Sequence, residues 1–175
     1  MLIQEIRCMS PIKGHASPRP EVSIREFEPG DEADFRNLNE EWITRYFRIE
    51  AKDQETLANP QAKILDPGGR IFLAIADGRA VGCCALLHTG EAEFEVAKMA
   101  VTPACQGAGV GRKLLRTAIE AARTAGTRRL FLETNHQLGP AIQLYRSSGF
   151  QPIPESRIEP SPYARADVFM ELFLA

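Results

Sequence analysis

Between Thr102 and Arg112 the chain reads Thr-Pro-Ala-Cys-Gln-Gly-Ala-Gly-Val-Gly-Arg, and the chemistry this spacing favours is the holding of a phosphate. Gly107, Gly109 and Gly111 let the backbone approach a ligand closely, with only Ala108 and Val110 between them. A helix begins directly afterwards, and its first turn offers N–H groups without partners at the positive end of a dipole. Gln106 and Arg112 add a side-chain donor and a fixed positive charge, a set that suits a pyrophosphate. Taken alone, the stretch equally fits a tight strand-to-helix turn whose glycines serve packing. Two familiar phosphate loops fit poorly. A dinucleotide fingerprint needs glycine where Arg112 stands, and a P-loop needs a Gly-Lys-Ser/Thr ending that is missing. Glu133 lies about 20 residues beyond the loop, where a ribose-reading acid would stand, but the glycine pattern is wrong for that use.

The elements that must position this loop follow from periodicity. Glu21 to Phe27 reads as a strand, broken at Pro29-Gly30-Asp31, and apolar residues from Phe35 to Phe47 at helical spacing predict a helix over Glu32 to Arg48. A short helix is expected over Gln54 to Ala58. Arg70 to Ala76 and Arg79 to Leu87, joined by Asp77-Gly78, read as a hairpin, and Glu91 to Val101 as a third antiparallel strand stopped at Thr102-Pro103. From Gly107 to near Gly126 an apolar stripe at Val110, Leu114, Ala118, Ala121 and Ala122 predicts an amphipathic helix. Then come a strand over Arg129 to Thr134, a short helix over Pro140 to Ser147 with Gly149 as its stop, a proline-rich loop from Pro152 to Pro162, and a closing strand over Ala166 to Leu174, apolar on both faces. Residues 1 to 20, with prolines at Pro11, Pro18 and Pro20, suit a mobile arm, so one domain is expected over 21–175.

Three features occur in order: the strand ending Met99-Ala100-Val101-Thr102-Pro103, the Gln106-x-x-Gly109-x-Gly111 loop and helix, and Ala141-Ile142-Gln143-Leu144-Tyr145 followed by Gly149-Phe150. In this combination residues 21 to 174 resemble the GNAT superfamily of N-acetyltransferases. The resemblance implies an α/β (α+β) fold, a mixed and strongly bent central sheet of about seven strands flanked by helices on both faces. It implies acetyl-CoA as cosubstrate, its pyrophosphate over Gln106, Gly107, Ala108, Gly109, Val110, Gly111 and Arg112. The pantetheine arm would run along Met99, Ala100 and Val101 where the fourth and fifth strands splay, with a backbone N–H near Met99 or Ala100 polarising the thioester. One departure is visible: the asparagine that family members often carry before the second motif is replaced by Leu138, and Asn135 nearby is the candidate to stand in.

The resemblance also implies roles. Tyr145 would place its hydroxyl on the departing sulfur, and Glu95, four residues before Met99, would serve as base for an amine with a pKa near 10. Glu93 shares that strand face by the period of two and is the substitute. An acceptor pocket is expected from Trp42 to Gln54 and from the Pro152 to Pro162 loop, with Trp42 and Glu50 as substrate contacts and Glu50 and Asp53 attracting a cationic amine. Cys105 as an acyl-carrying nucleophile is a minor variant, having no histidine near it in sequence.

Composition removes other classes. The net charge of −2 from 21 basic and 23 acidic residues spread along 175 positions leaves no nucleic-acid footprint. Cys8, Cys83, Cys84 and Cys105 form no metal-binding spacing with the histidines, so no metal is expected, and Cys83 and Cys84 read as small buried hydrophobes in a reducing compartment. No apolar run reaches a membrane span, so the expectation is a cytoplasmic enzyme with no membrane or nucleic-acid partner and a homodimer left open. The expected reaction is acetyl transfer from acetyl-CoA to a primary amine of a small molecule or peptide by direct attack. The competing class is a non-catalytic acyl-CoA-binding sensor, which needs the loop but neither Glu95 nor Tyr145.

Overall fold

The computed structural model describes residues 21–174, so the expected arm over 1–20 lies outside the described residues. The strands are β1 (Val22–Glu26), β2 (Arg70–Ala76), β3 (Arg79–Gly90), β4 (Glu93–Val101), β5 (Arg129–Thr134), β6 (Gln151–Pro152) and β7 (Val168–Phe173). They form one sheet in the order β1-β2-β3-β4-β5-β7-β6, in which β4 and β5 run parallel and every other pair antiparallel. The helices α1 (Glu32–Tyr46), α2 (Ala51–Ala58), α3 (Val110–Thr124) and α4 (Gly139–Ser147) are divided between the two faces. The expected mixed sheet between helices is the fold observed.

Each face has its own core. The apolar stripe of α3, with Leu114, Leu115 and Ala118 fully buried, packs on Cys84, Leu86, Leu130 and Leu132, and Tyr145 and Phe150 from the α4 region join it. On the opposite face Phe35 and Ile43 of α1 and Leu57 of α2 cover Leu73, Cys83, Ala85 and Ala100. Cys83 and Cys84 are thus the buried hydrophobes expected of them, and burial pushes the Cys83 thiol up to about 12.

Two features of the sheet create the site. The β2–β3 hairpin turns through Asp77 and Gly78, both at positive φ, and sets β3 in register with β4 until an irregularity between Cys83 and Ala85. There β4 holds one residue more than β3, because Cys83 faces Ala100 while Ala85 faces Ala97. Lys98 sits in this bulge at φ 50. The bulge exchanges the faces of β4: Phe94 and Val96 pack toward α3, then Met99 and Val101 do so, and Lys98 is turned to the α2 side. The second feature is the short β4–β5 pairing, only Glu93, Glu95 and Phe94 opposite Arg129, Phe131 and Leu130, after which the strands part.

Several boundaries move for identifiable reasons. Helix α2 begins at Ala51, not Gln54, because Glu50 and Asp53 form a reciprocal capping box. A π-helical turn over Gln61–Leu65 fills a stretch without an expected element, and the proline-rich loop carries a 3-10 turn over Glu155–Arg157. Strand β7 is not apolar on both faces: Glu171 is buried against Arg129 and Arg157, and Phe173 is exposed.

Candidate active site

Where β4 and β5 part, a cleft of about 600 Å³ opens, floored by β4 from Glu95 to Val101 and closed at one end by the loop before α3. At that end Gly107 and Gly109 adopt φ 74 and 82, and a Cβ on either would project into open space. The N–H groups of Gly107, Gly109, Val110, Gly111 and Arg112 have no hydrogen-bond acceptor among the described residues, a cluster of donors that an anion would satisfy. Gly111 differs: a Cβ there would lie 3.3 Å from Leu144 and 3.4 Å from Met99, so this glycine lets α3 pack closely. Arg112 lines the cleft with no carboxylate partner among the described residues. Gln106 lines the cleft as well, and its side-chain amide donates to the Val101 carbonyl at 2.9 Å, which ties the loop to the strand.

Along the floor, the β5-facing edge of β4 beyond Glu95 has no strand partner, which leaves Met99, Ala100 and Val101 able to receive an amide-bearing chain. Tyr145 reaches in from α4, its hydroxyl 3.9 Å from the Met99 sulfur and its ring edge-on to Phe150. Burial pushes the Tyr145 pKa up, so this hydroxyl keeps its proton and acts as a donor. Asn135 lines the cleft too, but its amide donates to the Arg165 carbonyl and to Asp167, and its oxygen accepts the Gln137 N–H. The side chain is thereby engaged in turn chemistry at the cleft wall.

The comparisons with known proteins match this architecture. Residues 35–150 match the model of the acetyltransferase (GNAT) family. The chain belongs to that family. It is similar to an IAA acetyltransferase of Azospirillum brasilense, 37% identical over 99 residues that make up 56% of this chain and 60% of that protein. It is also 34% identical to a mycothiol acetyltransferase of Thermomonospora curvata, over 77% of this chain and 48% of that one. The match therefore spans about half to three fifths of these relatives' lengths. Among solved structures, a GNAT-family acetyltransferase of Staphylococcus aureus superposes with a TM-score of 0.81 at 21% identity, covering 89% of this chain and all of that one. A Salmonella typhimurium structure solved with its cofactor acetyl-CoA superposes at 0.69 with 22% identity, over 88% and 94%.

At the other end of this GNAT cleft stands Glu95. It is half-buried, lines the cleft, and has neither hydrogen-bond nor ion-pair partner among the described residues. Burial, reinforced by the nearby Glu133 charge, pushes its pKa up to about 7 against the opposing pull of Lys98. Glu93, on the same strand face, is instead paired with Arg129 at 2.5 Å, its register partner on β5, and does not line the cleft. Trp42 does line it, with Tyr46 and Phe47. Glu50 and Asp53 lie behind the wall, and the cation they meet is the chain's own: Arg165 bonds Asp53 at 2.7 and 2.9 Å and Glu50 at 2.9 Å. Cys105 lines the cleft without a histidine among the residues around it.

A buried charged cluster in this wall escaped the sequence reading. Lys98, aimed by the bulge, donates to Asp53 at 2.8 Å and to the Tyr163 hydroxyl at 2.9 Å, and the Tyr163 ring centroid lies 4.9 Å from the Lys98 ammonium and 4.5 Å from the Arg165 guanidinium. The bulge also leaves the Lys98 carbonyl to the Cys83 thiol, at 3.3 Å. The backbone beside the expected thioester position is thus fixed by packing on one face and an ion pair on the other. Among the described residues no helix is long and apolar enough to cross a membrane, and no cluster of His, Cys, Asp or Glu is placed to hold a metal.

Proposed function

We propose that this chain transfers an acetyl group from acetyl-CoA to a primary amine of a small molecule or peptide by direct attack. The observation that carries the reading is one continuous cleft in which a donor-rich turn, an unpaired strand edge and an unpartnered carboxylate follow one another. The names of the relatives, IAA acetyltransferase and mycothiol acetyltransferase, support it. Acetyl-CoA supplies an activated thioester. The turn from Gly107 to Arg112 binds phosphate through backbone N–H groups, and Met99, Ala100 and Val101 offer the strand edge to amides. Tyr145 donates a hydrogen bond to the leaving sulfur without giving up its proton, and Glu95 takes the proton of the incoming ammonium.

Glu95 predicts a pH profile. With a carboxyl near 7, wild-type turnover should rise with pH and flatten above about 7, because the base is then ionised and accepts the ammonium proton on the enzyme. Glu95→Gln should instead climb toward the acceptor's own pKa of about 10. Its defect, about 100-fold at neutral pH, should therefore shrink as pH rises. Parallel profiles for the two proteins would remove Glu95 from the base role.

The whole reading is tested by melting and by chemistry. Acetyl-CoA should raise the melting temperature while NAD and ATP at equal concentration do not, and free thiol should appear when amines are supplied. A shift with NAD and none with acetyl-CoA would overturn the assignment. An acetyl-CoA shift with no thiol release across a broad amine panel would favour the sensor class.

A further inference from the structure

Charge at the acceptor end of the cleft narrows the acceptor class, an inference that rests on the acetyltransferase reading above. Both cations there are already engaged by the protein. Lys98 is held by Asp53 and the Tyr163 hydroxyl, and Arg165 by Asp53 and Glu50. Glu95 and Glu133, in contrast, line the cleft with no ion-pair partner among the described residues. Glu133 has one carboxylate oxygen on the Ser161 hydroxyl at 2.5 Å, and that hydroxyl is fixed in turn by the Tyr163 N–H at 3.0 Å. The other oxygen makes no hydrogen bond among the described residues.

The placement of the two carboxylates follows from the sheet. Glu95 is in register with Phe131, and Glu133 stands two residues farther along β5 on the same face. Strand spacing of about 4.8 Å and a rise of about 3.3 Å per residue put the two backbones roughly 8 Å apart, before the strands diverge. Trp42, Phe47 and Tyr163 line the same end, with Trp42 edge-on to Phe47, which gives an apolar path for methylene groups and aromatic faces for a cation. A half-buried, unpartnered carboxylate lining the cleft and a second oriented one, joined by an aromatic lining, form a site for two positive charges on one short chain.

We infer that the acceptor is a short aliphatic diamine or polyamine, whose reacting nitrogen meets Glu95 and whose second ammonium is held by Glu133. The reacting ammonium gives one proton to Glu95, its nitrogen bonds the acetyl carbon as the carbon–sulfur bond breaks, and the nitrogen's second proton passes to the departing sulfur, which leaves as the CoA thiol beside the Tyr145 hydroxyl. An amine that carries a carboxylate at the same distance is disfavoured twice. Glu133 repels it, and Arg165 and Lys98 are not free to receive it.

The test uses three amines of nearly equal length: putrescine, butylamine and γ-aminobutyrate, whose far ends are cationic, apolar and anionic. With the full chain and acetyl-CoA, kcat/KM should be about 10- to 100-fold higher for putrescine than for butylamine, and lowest for γ-aminobutyrate. Glu133→Gln should pull the putrescine-to-butylamine ratio toward one, with folding checked by a retained acetyl-CoA melting shift. Ser161→Ala, which only loosens Glu133, should lower the ratio less. A wild-type preference for γ-aminobutyrate or butylamine, or a ratio unmoved by Glu133→Gln, would overturn the inference and leave the acetyltransferase reading standing. Absence of both the acetyl-CoA shift and thiol release with all three amines would overturn that reading and the inference together.

Discussion

Replacing Asp53 with alanine is expected to cost the fold about 3 to 5 kcal/mol, a large share of the roughly 5 to 15 that a domain possesses. Asp53 is fully buried, and the Lys98 side chain that pairs with it is only 4% exposed. Without the carboxylate, Lys98 keeps one neutral partner, the Tyr163 hydroxyl, and Arg165 keeps only Glu50. A buried charge that loses its counter-ion retains its desolvation cost and loses the attraction that offset it, which is why the removal costs more than the pair contributes. For a domain of this size the melting temperature should fall by roughly 6 to 20 °C. Asp53→Asn keeps the shape and should cost nearly as much. Lys98→Met should cost less, because Asp53 would still hold Arg165 and the Glu50 N–H. The pH dependence has a definite sign. Burial pushes the Asp53 carboxyl up, but Arg165 and Lys98 together outweigh it and hold the group below the usual carboxylate value. Its stabilisation is present above that usual value and is lost as pH falls through the lower folded one. Urea melts of wild type and Asp53→Asn should accordingly converge in acid and separate above it. An Asp53→Ala variant within 1 kcal/mol of wild type at neutral pH would show that the cluster is solvated in solution.

That cluster was not readable in the chain, and the reason is separation. Lys98, Asp53, Tyr163 and Arg165 come from β4, the first turn of α2 and the segment before β7, and nothing local links them. The only cue was a lysine inside the apolar run from Val96 to Val101, which matters only once a bulge turns it to the other face. The bulge in turn is a property of the β3 register and leaves no mark on β4 alone. Glu93 carries the same lesson: period two places it with Glu95, but its ion pair depends on Arg129 being its parallel neighbour. Local features were legible. The Asp77-Gly78 turn, the positive-φ glycines before α3 and the apolar stripe of that helix are each set within a few residues. Gln106 and Asn135 fall between these cases, because a side-chain amide suits a ligand or a nearby carbonyl equally until the fold chooses.

The glycine turn before α3 gives the second large effect, a loss of acetyl-CoA affinity in Gly109→Glu that separates charge from shape. Gly109 precedes α3 at φ 82, and a side chain there enters the open space in front of the unpaired N–H groups. Any side chain pays for the left-handed backbone, about 1 to 2 kcal/mol, so a neutral companion of the same shape is needed. Gly109→Gln supplies it. Glutamate adds only a negative charge to what glutamine does, and at an effective dielectric constant near 20 a carboxylate about 5 Å from one phosphate charge is repelled by about 3 kcal/mol. The Glu variant should therefore bind acetyl-CoA roughly 100-fold or more weaker than the Gln variant, with the gap narrowing as salt is raised. Neither should unfold the chain, since a Cβ at this position meets no atom within 4 Å. Calorimetric titration of both variants and wild type at two ionic strengths reads the difference directly. Equal affinities for Gly109→Gln and Gly109→Glu would mean that no phosphate lies over this turn, and its glycines would then serve only the left-handed backbone at Gly107 and Gly109 and the close packing of α3 at Gly111.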